Sequence, residues 1–116
     1  MQTTIDVELA GDLDCARKDE ISAALMQAAA ADVAIVRLGH ASFFDSTALG
    51  CLIKLRKTMQ ARNVDSVIIL VDPPDQMIKV LEITGLRGLF RCDTSKPRAV
   101  ASIPQSPMPG SQANLG

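Results

Sequence analysis

Two short runs constrain this chain more than anything else in it: Val33 to Leu38 and Ser66 to Val71, both nearly all apolar and rich in Val and Ile. Runs of this length and β-branched content read as central strands with little of either face open to water. Between them the sequence turns helical. Ala48, Leu52, Leu55 and Met59 fall in one stripe at about 100° per residue, over a helix of about sixteen residues. Strand, helix, strand is the crossover that sets parallel neighbours in one sheet. The chain is therefore expected to be α/β.

The flanking segments extend that pattern. Thr3 to Leu9 alternates, with Ile5, Val7 and Leu9 on one side and Thr4, Asp6 and Glu8 on the other, as a half-solvated strand does. Gly11 breaks it, and Asp14 is placed to cap a helix reaching about Ala29, with Ile21, Leu25 and Ala28 in one stripe. After the second run, Asp72, Pro73 and Pro74 lead into a short helix from Pro74 to Thr84. Gly85 is positioned for a left-handed C′ residue, with Leu86 packing back on the last turn. Leu89 to Cys92 reads as an edge strand, and Lys96 to Ile103 as one or two helical turns entered at Pro97. The expected architecture is a mostly parallel sheet of four to five strands with helices packed mainly on one face. The domain spans 1–103, and the proline- and glycine-rich stretch 104–116 reads as a disordered C-terminal tail.

Composition narrows the function classes. With 116 residues, 47% of them hydrophobic, the chain fills one core, and a net charge of -1 gives no reason to expect nucleic acid or an anionic membrane as partner. No apolar run approaches the roughly 20 residues that cross a bilayer. The N-terminal Met1 to Gly11 carries Asp6 and Glu8 where a signal peptide is basic and then apolar, so a cytoplasmic location is expected. Cys15, Cys51 and Cys92 are odd in number and far apart, and His40 is the one histidine, so reduced thiols, no metal and no cofactor are expected. Idle thiols are the simpler account, with a redox input through Cys51 or Cys92 as the alternative. Trp and Tyr are absent, which removes most stacking chemistry for bases.

The segment with chemistry runs from Gly39 to Gln60. Asp45 reads as the N-cap of its helix, accepting from the N–H of Thr47 or Ala48, and Ser46 is then the first helical residue. A hydroxyl there lies beside unpaired N–H groups and the positive end of the helix dipole, an environment that favours a phosphate. Ser46 lies away from the core stripe, on a side shared with Gly50, Ile53, Lys54 and Lys57, with Leu49 at the margin. Apolar side chains among lysines beside a small residue suggest a docking face. The plainer account makes Asp45 and Ser46 ordinary helix-start residues and Ile53 one more exposed aliphatic.

Three landmarks in order add a resemblance: LAGDLD (Leu9 to Asp14), FFDSTALG (Phe43 to Gly50) and TGL (Thr84 to Leu86). Together they resemble the STAS domain of bacterial anti-sigma factor antagonists. The chain departs from the family pattern at Ala48, where glycine is frequent, and in a shortened, proline-broken final helix. The resemblance implies a STAS fold and a binding switch rather than an enzyme. Unphosphorylated, such a protein binds an anti-sigma factor, often itself a serine kinase, and frees a sigma factor; phosphorylation ends the binding and a serine phosphatase restores it. By the same resemblance Ser46 is the acceptor, flanked by Asp45 and by Thr47 as a second candidate, and the partner that would dock on the face given by helical phase, Leu49, Gly50, Ile53, Lys54 and Lys57, is an anti-sigma factor. The family also implies an alternative, a subunit of a stress-sensing scaffold or of a lipid-transporting ABC complex. An aspartyl phospho-receiver using Asp45 needs further acids at the first strand's end, which Gly11, Asp12 and Asp14 match poorly. A serine hydrolase needs a histidine that the Ser46 motif lacks.

Overall fold

Three successive strand-to-helix-to-strand crossovers build the sheet of the computed structural model, which describes residues 2–93. Strands β1 (Thr4–Glu8), β3 (Val33–Arg37), β5 (Val67–Val71) and β6 (Arg91–Asp93) pair in that order, all parallel. An order that advances always to the same side, with right-handed crossovers, puts every connecting helix on one face. Those helices are α1 (Lys18–Met26), α2 (Ser46–Arg62) and α3 (Asp75–Thr84). The expected architecture of a parallel sheet with helices over one face is what the chain adopts.

Register explains where the core sits. Ile5, Ala34 and Ile68 form one row across the sheet, and Val7, Val36 and Leu70 the next. These rows lie under Ile21 and Leu25 of α1, Ala48, Leu52, Leu55 and Met59 of α2, and Met77 and Leu81 of α3, all buried. The alternate residues Val33, Ile35, Val67 and Ile69 are half-buried. The expectation that β3 and β5 hide both faces is thus corrected: no helix among the described residues crosses back over the second face.

Helix boundaries follow local chemistry. The Asp14 side chain accepts from the Ala16 N–H at 3.1 Å, but it opens a single 3₁₀ turn (Cys15–Arg17), and α1 proper starts at Lys18 and ends at Met26, not near Ala29. The α3 terminus is the expected one. Gly85 has φ 76°, its N–H bonds Glu82 O at 3.2 Å, and the Leu86 N–H bonds Leu81 O at 2.8 Å, the paired bonds of a Schellman ending. A 3₁₀ turn at Arg87–Leu89 delays the edge strand to Arg91. The turns expected over Lys96 to Ile103 and the tail 104–116 lie outside the described residues.

One feature has no counterpart in the sequence reading. β2 (Gly11–Leu13) and β4 (Ala41–Phe44) form a separate two-stranded parallel ladder where a turn and a loop are expected. Both are too short, and too irregular at Gly11 and Asp12, to show a period. Gly11 has φ 76°, which a side chain would strain.

Candidate functional site

The small ladder sets the site, because its strands feed directly into α1 and α2. Leu13 pairs with Phe44, and the Asp45 N–H reaches Leu13 O at 3.2 Å, so the two helix entrances are held side by side. Asp45 is extended, with φ -130° and ψ -170°, as an N-cap residue is. Its Oδ1 accepts the Thr47 N–H at 2.8 Å, the expected cap. Its Oδ2 accepts the Cys15 N–H at 3.2 Å across the ladder, a bond that spacing alone could not reveal. One carboxylate thereby closes the start of α2 and the turn that leads into α1.

The loop before α1 is locked by Arg17. Its Nη1 donates to Ala10 O at 2.7 Å and Asp12 O at 2.8 Å, while Nε and Nη2 bond the Glu20 carboxylate. The Arg17 hydrogen bond holds the Glu20 carboxyl below the usual range. This fastening ties the first turn of α1 to the 10–12 backbone.

Ser46 is exposed at the first position of α2, with no hydrogen-bond partner for its hydroxyl among the described residues. It borders an open hollow of about 380 Å³, lined by Lys18 and Ser22 of α1 and by Ser46, Thr47, Gly50, Cys51 and Lys54 of α2. Two lysines and no acidic residue are among those that line this space. A dianion beside Ser46 would meet positive charge and the favourable end of the helix dipole. Gly50 stands open as well, since a Cβ there would meet nothing within 4 Å.

The structure gathers part of the expected site and separates the rest. Ser46, Thr47, Gly50 and Lys54 share the hollow, whereas Leu49, Ile53 and Lys57 do not line it. Leu49 and Ile53 are half-buried and pack against the core, so the expected exposed apolar pair is corrected. Their flank of α2 is the one beside the segment that follows α3, as Arg56 shows by donating Nε to Leu89 O at 3.0 Å. The exposed apolar residue near Ser46 is Phe43, at 53%. Lys18, Ser22 and Phe43 escape a reading by helical phase, because only tertiary packing brings α1 alongside α2; the FFDS motif contained Phe43 but gave no sign of which phenylalanine faces water.

The remaining candidates are peripheral. Cys15 is exposed, Cys51 buried and Cys92 half-buried, with burial pushing the Cys92 thiol up. His40 is an exposed loop residue whose Nδ1 lies 2.7 Å from Glu8 Oε2. Among the described residues no three His, Cys, Asp or Glu side chains are grouped to hold a metal. No helix among them is long and apolar enough to cross a membrane.

Comparison with known proteins fits this geometry. The fold matches that of the anti-sigma factor antagonist SpoIIAA in its unphosphorylated form with a TM-score of 0.62, at 23% identity over 84% of each chain. The phosphorylated form of SpoIIAA, a Bacillus cell fate determinant, gives a TM-score of 0.63 at 26% identity, covering 82% of this chain and 86% of that one. A sulfate transporter family protein from Wolinella succinogenes gives 0.60 at 16% identity, covering 78% and 75%. No curated protein matches the sequence. The STAS domain family model matches residues 2–99, which include every residue described above, and the chain belongs to the STAS domain family.

Proposed function

We propose that this protein is an anti-sigma factor antagonist of the cytoplasm, switched by phosphorylation of Ser46. Unphosphorylated, it binds an anti-sigma factor that is also a serine kinase and so frees a sigma factor; phosphate on Ser46 ends the complex, and a serine phosphatase restores it. The observation that carries this reading is the exposed Ser46 hydroxyl at a helix start, in a hollow lined by Lys18 and Lys54 and by no acid. The likeness to SpoIIAA, known in both unphosphorylated and phosphorylated forms, supports it.

Electrostatics supports an affinity switch in place of an unfolding event. A phosphoserine carries about -1.5 to -2 charge at pH 7. In the free protein Lys18, Lys54 and the helix dipole offset that charge, so the fold keeps its stability. At a packed interface the same group must lose water beside the Asp45 carboxylate, which opposes docking. Both Asp45 oxygens already accept backbone N–H groups, so Asp45 serves to shape the site, and a nucleophilic role for it has no support. Thr47 lines the hollow as a second hydroxyl, and its backbone N–H is tied to the cap.

The test pairs the protein with candidate anti-sigma kinases and ATP. Mass mapping is expected to place one phosphate on Ser46, none appearing in Ser46→Ala, and Ser46→Glu should weaken partner binding at least tenfold with its thermal midpoint held. Phosphate on another residue, or recovery of a transporter subunit in place of an anti-sigma factor, would overturn the reading; the second result would favour the scaffold or transporter alternative.

A further inference from the structure

We propose that the open face of the sheet is a self-association surface, on which a second copy of this chain docks face to face about a two-fold axis running along the strands. The dimer buries the face opposite α1, α2 and α3, so it is separate from the Ser46 hollow and independent of the function proposed above.

An all-parallel sheet is nearly always covered on both faces, because its central strands carry apolar side chains on each. Here α1, α2 and α3 cover one. Val33 and Ile35 of β3 and Val67 and Ile69 of β5 point to the other, where they are half-buried and no helix among the described residues crosses them. With strands of up to five residues, about 3.3 Å per residue and about 4.8 Å apart, this face measures about 17 Å by 15 Å, small for an interface. The dimer is therefore a weak one that forms at high concentration.

Charge specifies the occupant and the symmetry. In register, the middle row of this face reads Asp6, Ile35, Ile69, Arg91 from β1 to β6: acid, apolar, apolar, base. The row before it sets Val33 beside Val67. A two-fold axis along the strands, between β3 and β5, lays each row end for end over its own copy. Ile35 then meets Ile69 of the second copy, Val33 meets Val67, and Asp6 meets Arg91 at both ends of the row. An axis across the strands would set Asp6 on Asp6 and Arg91 on Arg91, so the charges choose between the two. Asp6 accepts from Arg37 Nε at 2.9 Å, and a carboxylate has room for a further donor. Arg91 is exposed, without an ion-pair partner among the described residues. Like charges meet at the rim, Glu8 against Asp93 of the second copy, where water remains; Glu8 already has His40 Nδ1 at 2.7 Å.

The experiment is sedimentation equilibrium of the full chain between about 10 μM and 1 mM, where monomer and dimer in exchange are expected. Asp6→Arg and Arg91→Glu, each alone, place like charges at both ends of the row and should weaken the dimer at least tenfold. An equimolar mixture of the two variants should regain it, because in the mixed dimer both facing pairs are again opposite in sign. Both positions are exposed, so the monomer should keep its fold. Ser46→Glu, on the helical side, should leave the dimer unchanged. The proposal is overturned by a dimer that neither variant weakens, by a mixture no tighter than the single variants, or by a chain that stays monomeric throughout. In that last case, Ile35 and Ile69 methyl groups shielded from a soluble paramagnetic probe would assign the cover to the chain itself.

Discussion

The two ends of α2 are held in opposite ways. At its C-terminal end the contacts are redundant: Asn63 Nδ2 bonds Asp32 Oδ1 at 2.8 Å, Arg62 Nη2 bonds Ala31 O at 2.8 Å, and Gln60 reaches Val64 O and Ser66 O. At its N-terminal end a single carboxylate, Asp45, accepts two N–H groups, with the thin β2–β4 ladder behind it. Between them Ala48, Leu52, Leu55 and Met59 seat the helix on the sheet. The difference teaches where a chain can carry a modifiable residue. Ser46 sits at the end whose groups face water, so a phosphate there changes the surface without entering the core.

If that comparison is right, the largest loss comes from Asp45→Ala. It removes an N-cap and a second charge-assisted bond, so a loss of about 2 kcal/mol in urea unfolding is expected. Asp45→Asn should recover about half of it. An amide offers one acceptor oxygen, which can serve Thr47, while its NH₂ would face the Cys15 N–H, donor against donor. A loss from Asp45→Ala no larger than that from changing one contact at the other end would break the comparison.

A smaller effect of opposite sign is expected at Gly50. Glycine inside a helix costs about 0.5–1 kcal/mol relative to alanine, and no neighbour within 4 Å of its missing Cβ requires it here. Gly50→Ala should therefore raise the thermal midpoint. If a partner packs closely on the hollow, the same methyl should weaken that complex about tenfold or more. Unchanged affinity would remove Gly50 from the docking face and leave Lys18, Lys54 and Phe43 as its candidates.

How much of this was legible in the sequence depends on the range over which each feature is decided. β3, β5 and α2 could be read because each announces itself locally, through Val and Ile runs or through the spacing of Leu52, Leu55 and Met59. Asp45 and Gly85 could be read because caps are local chemistry. The β2–β4 ladder could not, since Gly11 and Ala41 meet only through the fold, and the second bond of Asp45 depends on that ladder. Helical phase put Ser46 and Gly50 on one side correctly. It missed the cover on Ile53, because phase gives direction from the axis and not what lies in that direction.

The smallest effect should come from Asp32, one member of the redundant end. Its carboxyl is held below the usual aspartate range, first by the Thr3 N–H at 2.9 Å and then by Asn63 at 2.8 Å. A depressed folded pKa means that the charged form favours folding. That contribution is complete above the unfolded value of about 4 and fades as pH falls through the lower folded value. Asp32→Asn should thus shift the thermal midpoint slightly at pH 7 and flatten its decline below about pH 4. Wild type and variant should converge at the acid end, where Asp32 is protonated, with a residual slope from Glu20, whose carboxyl is also held low. At pH 7 the loss should be smaller than that of Asp45→Ala, because the Arg62 bond to Ala31 O and the Gln60 contacts survive the change. A variant whose decline with acid parallels wild type would show that Asp32 carries none of the acid sensitivity, and a loss at pH 7 matching that of Asp45→Ala would show that this end, too, hangs on one side chain.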